Sequence, residues 1–270
     1  MNHYFAIEGN DCAGKNTLTK GLLTYIERYN LFPEYKIKTV SFPDYESKTG
    51  KMITKFLNGK ILKDKPNDLA GVVRKAIAIG TLYADNRIEW YRENFDKNED
   101  NVIYIFDRYM LSNLTHQLVP IVRYLSNIEA VTGQPTTANL LNAIAQFNNK
   151  VCLYETVTNK LPKAHHIIID VSAETSLERM KKRNGGKHSG KDILESEAYV
   201  RDVEYVIRNY IATYMSENAP ELSHVLCKED PGIVLPNDDS GYFVECAKAS
   251  PATIAAYMNG VIRKEKEGVK

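Results

Sequence analysis

The sequence predicts an α/β protein: a five-stranded parallel sheet with helices on both faces, in three layers. Short, continuously apolar segments alternate with longer segments whose apolar residues recur at helical spacing. The apolar segments lack the alternation of a sheet with one solvated face, so both faces of the sheet are expected to be covered. The first of these segments also runs directly into a glycine-rich turn that is followed by a helical pattern.

The individual elements follow from these patterns in chain order. Each predicted strand is a short apolar run, and the second strand is ended by a proline at position 43. The longest predicted helix has apolar residues at three- and four-residue spacing throughout. The predicted strands are residues 4–8, 38–42, 102–106, 167–169 and 241–246, and the main predicted helices are residues 15–29, 67–95 and 252–263.

Composition excludes several classes of protein. The 270 residues are 43% hydrophobic and 26% charged, as in ordinary globular domains, so a disordered or fibrous chain is excluded. The net charge is +1, which argues against a nucleic-acid or a membrane-surface partner. No apolar run approaches the roughly 18 residues of a membrane helix. Four scattered cysteines and strand-like sequence from Tyr4 onward favour a cytoplasmic protein without a signal peptide.

We predict a single domain over residues 1–270. Two segments within it look inserted, residues 119–154 and residues 218–240, the second rich in Pro, Asp and Asn. Neither carries a motif with recognisable chemistry. We therefore expect both segments to be surface elaborations or contacts between subunits.

A glycine-rich segment between the first strand and the first helix resembles a phosphate-binding loop. It fits the pattern GxxxxGK[ST] except at its last position, where Asn16 stands. Such a loop surrounds phosphate oxygens with backbone N–H groups, and the lysine adds a mobile positive charge. The predicted ATP-binding residues here are Gly9, Asn10, Asp11, Cys12, Ala13, Gly14, Lys15, Asn16 and Thr17.

Asp107 and Arg108 follow the apolar strand at residues 102–106. The carboxyl end of a parallel strand lies in the crevice where such sheets bind ligands, so both side chains are expected beside the phosphate loop. Asp107 is a candidate ligand for Mg²⁺ or for a water bound to it. Asn16 replaces the usual hydroxyl ligand, and its amide oxygen is the second candidate.

Taken together, the chain resembles the thymidylate kinase family of P-loop nucleoside monophosphate kinases. The Asp-Arg-Tyr block at residues 107–109, joined to the phosphate loop, is the most specific part of the resemblance. The matching blocks occur in the family's order at residues 5–17, 41–53, 83–87, 107–117, 161–163, 170–171, 177–179 and 195–210. No counterpart is recognised for the two inserted segments.

The resemblance implies ATP-dependent phosphorylation of dTMP with Mg²⁺, a homodimer, and a lid at about residues 183–197. Lys15, Asp11 and Arg108 would be the catalytic residues, and Arg179 and Arg183 would join the loop in binding ATP. Tyr83 would stack on thymine, Arg87 would donate to its O4 atom, and Asn113 would accept from N3–H. The implied acceptor site consists of Phe42, Tyr83, Arg87, Arg108, Ser112, Asn113, His116 and Gln117.

The sequence departs from the family at three places. Asp44 and Tyr45 stand where an arginine usually follows Phe-Pro, with Lys48 or Lys51 as candidate replacements. His116 replaces the usual Tyr or Phe near the sugar. The lid lacks the arginine often found at the position of Ile193.

Two alternative functions remain open at this stage. A deoxynucleoside kinase, or a deoxynucleoside monophosphate kinase of broad range, would share the loop. For the deoxynucleoside kinase, Asp44 is the candidate base for a sugar hydroxyl. A nucleotide-binding switch protein without phosphoryl transfer is favoured slightly by Asn16 and by the missing arginine.

Overall fold

The computed structural model describes residues 1–95, 99–183, 185, 194, 196–211, 233–236 and 244–268. Its strands are β1 (His3–Gly9), β2 (Lys36–Ser41), β3 (Val102–Asp107), β4 (His165–Asp170) and β5 (Ile233–Pro236). Its helices are α1 (Lys15–Arg28), α2 (Lys48–Leu57), α3 (Leu69–Asn94), α4 (Met110–Thr132), α5 (Thr137–Phe147), α6 (Ala173–Arg183), α7 (Glu197–Val206) and α8 (Val244–Glu267). Short π-helical turns cover Asn148–Cys152, Tyr154–Thr158 and Ile207–Ile211.

The strands form one parallel sheet in the order β2-β3-β1-β4-β5. The register pairs Ile7 with Asp107 and Gly9 with Ile169, so the carboxyl ends of the central strands meet at one edge. This edge carries both the glycine-rich loop and the residues that follow β3. The predicted α/β class and its parallel sheet are confirmed. The sequence located four of the strands correctly, namely β1, β2, β3 and β4.

The predicted last strand at residues 241–246 is wrong. Residues 244–246 belong to α8, residues 241–243 lie outside the described part of the chain, and the strand that extends the sheet is β5. Both segments are short and apolar, and pairing with the edge of β4, where Ile167 lies opposite Ile233, decides between them. The helix predicted at residues 252–263 lies within α8, which begins earlier and contains Pro251.

Helices cover the sheet on both faces. Successive residues of β1 point to opposite sides: Phe5 and Ile7 pack with α1 and α8, whereas Ala6 packs with Tyr104 and Phe106. Strand residues buried on both faces explain why the strands read as continuous apolar runs. Among the described residues, no helix is long and apolar enough to cross a membrane.

The segment at residues 119–154 contributes to the core, contrary to our expectation of a surface elaboration. Ile121, Ile144, Phe147 and Val151 are almost fully buried in the cluster formed with α3 and α4. A Cβ atom on Gly80 of α3 would come within 2.5 Å of the Phe147 ring, so a glycine is needed for this close approach. Of the second segment, residues 218–240, only β5 is described.

A carboxylate in α8 joins the C-terminal helix to the sheet. Glu265 accepts hydrogen bonds from His3 in β1 and from His165 Nε2 in β4, the latter at 3.0 Å. The hydrogen bonds from His165 and His3 lower the pKa of Glu265 to about 2. A lowered pKa means that the stabilisation is complete above the ordinary value near 4.5 and is lost as the pH falls towards 2.

We therefore expect Glu265→Gln to lower the melting temperature at pH 7 and to flatten its decline between pH 4.5 and pH 2.5. Thermal unfolding of both proteins across this range measures the effect. Glu267→Gln is the matched control, because Glu267 makes only an exposed ion pair with Arg263 at 3.8 Å. Parallel curves for the wild type and Glu265→Gln would contradict the assignment.

Candidate functional site

The glycine-rich loop connects β1 to α1 and requires glycine at two positions. Gly9 has φ +141°, and a Cβ atom there would lie 2.5 Å from the carbonyl oxygen of Ile169 in the neighbouring strand. Gly14 has φ +94° and caps the N-terminus of α1. Both conformations are reached at little cost only without a side chain. The loop that the motif predicts is therefore a consequence of how β1 packs on β4.

Lys15, at the start of α1, folds back over this loop. Its Nζ atom donates to the carbonyl oxygens of Gly9 at 3.1 Å and Asn10 at 2.7 Å, and the side chain is buried. Burial and the nearby Arg108 charge lower the pKa of Lys15 to about 8. The ammonium group is thus held at the loop by two backbone carbonyl oxygens.

Two helices brace the loop from outside. Asn10 is buried and donates from Nδ2 to the carbonyl oxygen of Val200 in α7 at 3.0 Å. Arg179 of α6 donates from Nη1 to the carbonyl oxygen of Ala13 at 3.2 Å. Cys12, with φ +58°, packs against the apolar cluster of α6. These contacts involve Asn10, Cys12, Ala13 and Arg179, which are four of the predicted ATP-binding residues. Asn16 and Thr17, also predicted to bind ATP, are exposed.

Arg108 and Asp11 form an ion pair beside the loop. Arg108 also donates from Nη1 to the carbonyl oxygen of Gly9 at 3.3 Å. Burial alone would raise the pKa of Asp11, but the positive charges of Arg108 and Lys15 outweigh it and hold that pKa at about 2. Arg183 lies near enough to add to the same effect. The three predicted catalytic residues are therefore brought together.

Arg108 has a strained backbone, with φ +68° in the left-handed region. Its N–H donates to the carbonyl oxygen of Ile7 at 2.9 Å, which holds the turn between β3 and α4. A non-glycine residue in this region costs of order 1–3 kcal/mol, and such residues cluster at functional sites. The strain turns the Arg108 side chain towards Asp11.

Asp107 ends β3 and carries an unused acceptor. Its Oδ1 atom is buried and has no hydrogen-bond partner among the described residues. The same residues contain no cluster of three or more His, Cys, Asp or Glu side chains that could hold a metal ion by themselves. An orphaned carboxylate oxygen beside a phosphate loop fits Mg²⁺, which takes one or two carboxylates and completes its shell with water and phosphate oxygens.

A cleft of about 160 Å³ opens beside Arg108. All eight residues predicted for the acceptor site line it, and they come from α3, from α4 and from the segments that follow β2 and β3. The lining residues are Asp11, Phe42, Pro43, Tyr45, Leu57, Tyr83, Arg87, Arg108, Tyr109, Ser112, Asn113, His116, Gln117 and Leu194. The cleft therefore joins the predicted base-binding residues to two of the predicted catalytic residues, Asp11 and Arg108.

Arg87 lies in this cleft with a partner that the sequence did not indicate. Its Nε atom donates to Glu155 Oε1 at 2.6 Å, and both side chains are almost completely buried. Burial alone would lower the pKa of Arg87, but the charge and hydrogen bond of Glu155 raise it overall. Arg87 Nη2 is buried without a hydrogen-bond partner among the described residues, and so is Glu155 Oε2.

Asn113 supplies the complementary unused group. Its Nδ2 atom donates to the carbonyl oxygen of Gly80 at 2.9 Å, which fixes the orientation of the amide. Its Oδ1 atom is buried and has no hydrogen-bond partner within the described chain. Arg87 and Asn113 both line the cleft, and each carries one buried group, the donor Nη2 and the acceptor Oδ1, that is unsatisfied among the described residues. Buried groups of this kind are uncommon and call for a ligand or water.

Ser112 is engaged within the protein rather than directed at a ligand. Its N–H donates to Glu8 Oε2 at 3.1 Å, and its hydroxyl donates to the same oxygen. Glu8 Oε1 accepts from the N–H of Tyr109 at 3.1 Å and faces His166 Nδ1, also at 3.1 Å. Glu8 therefore satisfies the N-terminus of α4. In the sequence, the one indication of this role is that Glu8 is a charged residue within an otherwise apolar strand.

Asn86 also has a structural role. It is fully buried, accepts from the N–H of Asp44 at 2.8 Å, and donates to the carbonyl oxygen of Asp44 and to Ser47 and Thr49. These bonds hold the turn before α2 against α3. Tyr45 lines the cleft in the region of the missing arginine, whereas Lys48 and Lys51 are exposed and do not line it.

His116 connects Arg108 to α7. Its Nε2 atom lies 3.4 Å from Arg108 Nη1, and its Nδ1 atom lies 3.2 Å from the hydroxyl of Tyr199. Because arginine can only donate, His116 carries its proton on Nδ1 and donates to Tyr199, which in turn donates to the His116 carbonyl oxygen at 3.2 Å. The two rings are also stacked. His116 therefore positions the arginine in addition to lining the cleft.

We expect the histidine to make stability depend on pH. Burial, with Arg108 close by, lowers the pKa of His116 from 6.5 to about 4. The unfolded chain then binds the proton more strongly, so stability is complete above pH 6.5 and falls as the pH drops towards 4. His116→Phe should lose part of this dependence, measured as the melting temperature between pH 7 and pH 4. An unchanged dependence would contradict the lowered pKa.

Most of the predicted lid, residues 183–197, lies outside the described residues. Leu194 is described and lines the cleft, and Ser196 caps α7 by accepting from the N–H of Tyr199 at 3.3 Å. The lid therefore stays a prediction. Residue 193, where the lid arginine is absent, lies outside the described residues.

Comparisons with known proteins identify the fold. No family model matches the sequence, and no curated protein matches it. The chain is similar in structure to the thymidylate kinase from Candida albicans, with a TM-score of 0.54 and 17% sequence identity. The match covers 98% of this chain and 92% of that chain. At this identity the likeness shows the fold alone: an α/β fold that resembles that of the thymidylate kinase.

Proposed function

We propose that this protein is an ATP-dependent thymidylate kinase that converts dTMP to dTDP. The observation that carries the proposal is the pair of unsatisfied groups in the cleft, Arg87 Nη2 and Asn113 Oδ1. Thymine and uracil present an O4 acceptor next to an N3–H donor, which matches this donor and acceptor. Cytosine presents the reverse at both positions.

The fixed amide of Asn113 sharpens this match. Because Nδ2 is held by the Gly80 carbonyl oxygen, the amide cannot rotate to offer a donor without losing that bond. Cytosine would then place its amino donor against the donor of Arg87 and its N3 acceptor against the acceptor of Asn113. A buried unsatisfied group costs about 1–3 kcal/mol, and sites built on hydrogen bonds reject mismatched analogues strongly.

The other end of the cleft supports a monophosphate as the acceptor. Arg108 offers a guanidinium group there, held by Asp11 and His116, and guanidinium groups bind phosphate through paired hydrogen bonds. Lys15 would stabilise the transferring phosphoryl group from the side of the donor. Phosphoryl transfer needs positioned positive charge rather than a covalent intermediate, so direct in-line transfer is the proposed reaction.

Mg²⁺ would neutralise charge on the donor phosphates, and Asp107 Oδ1 is the protein atom best suited to hold it or a water bound to it. Asn16 is exposed at the start of α1 and stays the second candidate. The homodimer implied by the resemblance also stays a proposal.

We expect Asn16→Thr to retain or raise the Mg²⁺-dependent activity and Asn16→Leu to lose most of it. A threonine hydroxyl can bind the metal, whereas leucine offers no oxygen. Asp107→Asn should raise the Mg²⁺ concentration needed for half-maximal rate. Titrating Mg²⁺ in initial-rate assays measures both. If the Leu variant keeps the wild-type Mg²⁺ requirement, Asn16 has no role in holding the metal.

A deoxynucleoside kinase is the second candidate, and the position of Asp44 disfavours it. Asp44 Oδ1 accepts from the N–H of Glu46 at 3.1 Å within a turn, and Asp44 does not line the cleft. A base that activates a sugar hydroxyl has to reach it. A switch protein without transfer is disfavoured by Lys15 and Arg108, which supply the charge that transfer requires.

An acceptor panel tests the proposal. The protein is incubated with ATP, Mg²⁺ and each common nucleoside or nucleoside monophosphate, and ADP release is followed over many turnovers. We expect the order dTMP, then dUMP, then dCMP. Nucleosides as the best acceptors would favour the second candidate, and equal rates for dTMP, dCMP and dGMP would favour a kinase of broad range. Binding without turnover would favour the switch protein.

A further inference from the structure

The ion pair between Arg87 and Glu155 has more than a structural consequence for the cleft. Glu155 lies in the π-helical turn after the segment at residues 119–154 and does not itself line the cleft. It contacts Arg87, which does line the cleft and whose Nη2 atom has no hydrogen-bond partner among the described residues.

We propose that Glu155 is the positioning residue that sets base selectivity, by holding the guanidinium group of Arg87 so that Nη2 faces the acceptor base. This proposal rests on the proposed function, because it concerns the same cleft.

The geometry of a guanidinium group supports this role. The group is planar, so fixing the direction of the Nε–H bond leaves little freedom for the Nη atoms. Glu155 Oε1 fixes that direction with a hydrogen bond of 2.6 Å. The ring of Tyr109, whose centroid lies 5.8 Å from Arg87 Cζ, bounds the guanidinium group on one face. Arg87 is thereby presented as one oriented donor.

The position of Glu155 is itself set by the fold. Its carbonyl oxygen accepts from the N–H of Leu161 at 3.0 Å. The neighbouring Tyr154 hydroxyl donates to Asp85 Oδ1 of α3 at 2.9 Å. The turn is therefore tied to the same helix that carries Arg87, which keeps the carboxylate in register with the guanidinium group.

The carboxylate also changes what kind of ligand Arg87 selects. An unpaired arginine in a buried cleft would attract any anion, including the phosphate of the acceptor in a wrong orientation. With Glu155 beside it, the charge is balanced within the pair, and the N–H groups that remain on the two Nη atoms act as donors without an excess positive charge. A neutral base with a carbonyl acceptor at the matching place is the partner for such a donor.

A purely structural ion pair is the competing explanation. Buried ion pairs gain little stability over apolar packing, because desolvation offsets the attraction. The two explanations differ in one measurable quantity: the ratio of kcat/KM for dTMP to kcat/KM for dCMP. A structural pair affects folding, whereas a positioning residue changes this ratio in the folded protein.

The test compares Glu155→Gln with the wild type in ATP- and Mg²⁺-dependent assays. Glutamine can still accept from Arg87 Nε–H, but without the negative charge that strengthens this hydrogen bond. The weaker bond holds the guanidinium group less firmly by about 1 kcal/mol, so the ratio should fall about fivefold, mainly through the KM for dTMP. Tyr154→Phe is the matched control, since it loosens the same turn at Asp85 without touching Arg87, and its ratio should be that of the wild type. An unchanged ratio in folded Glu155→Gln overturns the proposal.

A second variant covers the case in which the glutamine protein does not fold. Glu155→Asp keeps the buried charge beside Arg87 but withdraws it by one methylene, so folding is retained and the ratio should still fall. An unchanged ratio there also overturns the proposal.

Failure of the proposed function is recognised separately. If the wild type does not phosphorylate dTMP, the kinase proposal fails, and calorimetric binding of dTMP and dCMP to the same variants replaces kinetics. A preference for dTMP that Glu155→Gln removes then supports the positioning role. Equal binding of both nucleotides to the wild type overturns it.

Discussion

Lys15→Ala is expected to reduce kcat for dTMP phosphorylation by about 10²-fold or more. The ammonium group lies against the carbonyl oxygens of Gly9 and Asn10, at the point where the donor phosphates would enter. No other described side chain donates to both oxygens. The backbone of the loop is set by its glycines and by the packing of β1 on β4, so the fold should survive the substitution.

Initial rates at saturating ATP and dTMP measure this effect, with circular dichroism to check folding. Lys20→Ala is the matched control, because Lys20 lies on the same helix and is exposed. It should turn over like the wild type. Near-normal turnover of Lys15→Ala would remove the assignment of residues 9–17 as a donor-phosphate loop.

Arg87→Ala is expected to lower both stability and base selectivity. It leaves Glu155 buried and uncompensated, and breaking a buried ion pair costs about 3–5 kcal/mol. It also removes the donor for O4, so kcat/KM for dTMP should fall much more than kcat/KM for dCMP, and the gap between them should narrow.

Urea unfolding measures the first effect and steady-state kinetics the second. Arg92→Ala is the control on the same helix, because Arg92 is exposed and donates to Asn159 at 2.7 Å. Adding Glu155→Gln to Arg87→Ala should recover part of the lost stability but none of the selectivity. If Arg87→Ala is as stable as the wild type, the ion pair contributes nothing to folding. If the ratio of kcat/KM for dTMP to kcat/KM for dCMP does not fall, Arg87 does not determine base selectivity.

The structure moves two of the predicted acceptor residues towards positioning roles. The Ser112 hydroxyl donates to Glu8, and His116 holds Arg108 while stacking on Tyr199. Both still line the cleft. The position of His116 near the deoxyribose stays a prediction. Its contacts with Tyr199 of α7 give the same side chain a structural role as well.

Much of the site could be predicted because it is local in the sequence. The glycines, Lys15 and the Asp-Arg-Tyr block lie within two short segments, each directly after a strand. Parallel strands bring their carboxyl ends to one edge, so the apolar runs at β1 and β3 were sufficient to put these segments side by side. The fifth strand could not be located in this way, because two short apolar runs compete for the same edge of β4.

The sequence by itself determined the α/β class and predicted a glycine-rich loop after the first strand, since periodicity and strand ends encode both directly. The eight acceptor residues that line the cleft were implied by the family resemblance. Only the tertiary structure decided which buried polar groups are satisfied by one another. Glu155 meets Arg87 from 68 residues away and Tyr199 meets His116 from 83 residues away. Such pairs depend on how helices and turns pack over the sheet. The residues next to a glutamate or a tyrosine in the sequence do not indicate which distant residue will satisfy its side chain once it is buried.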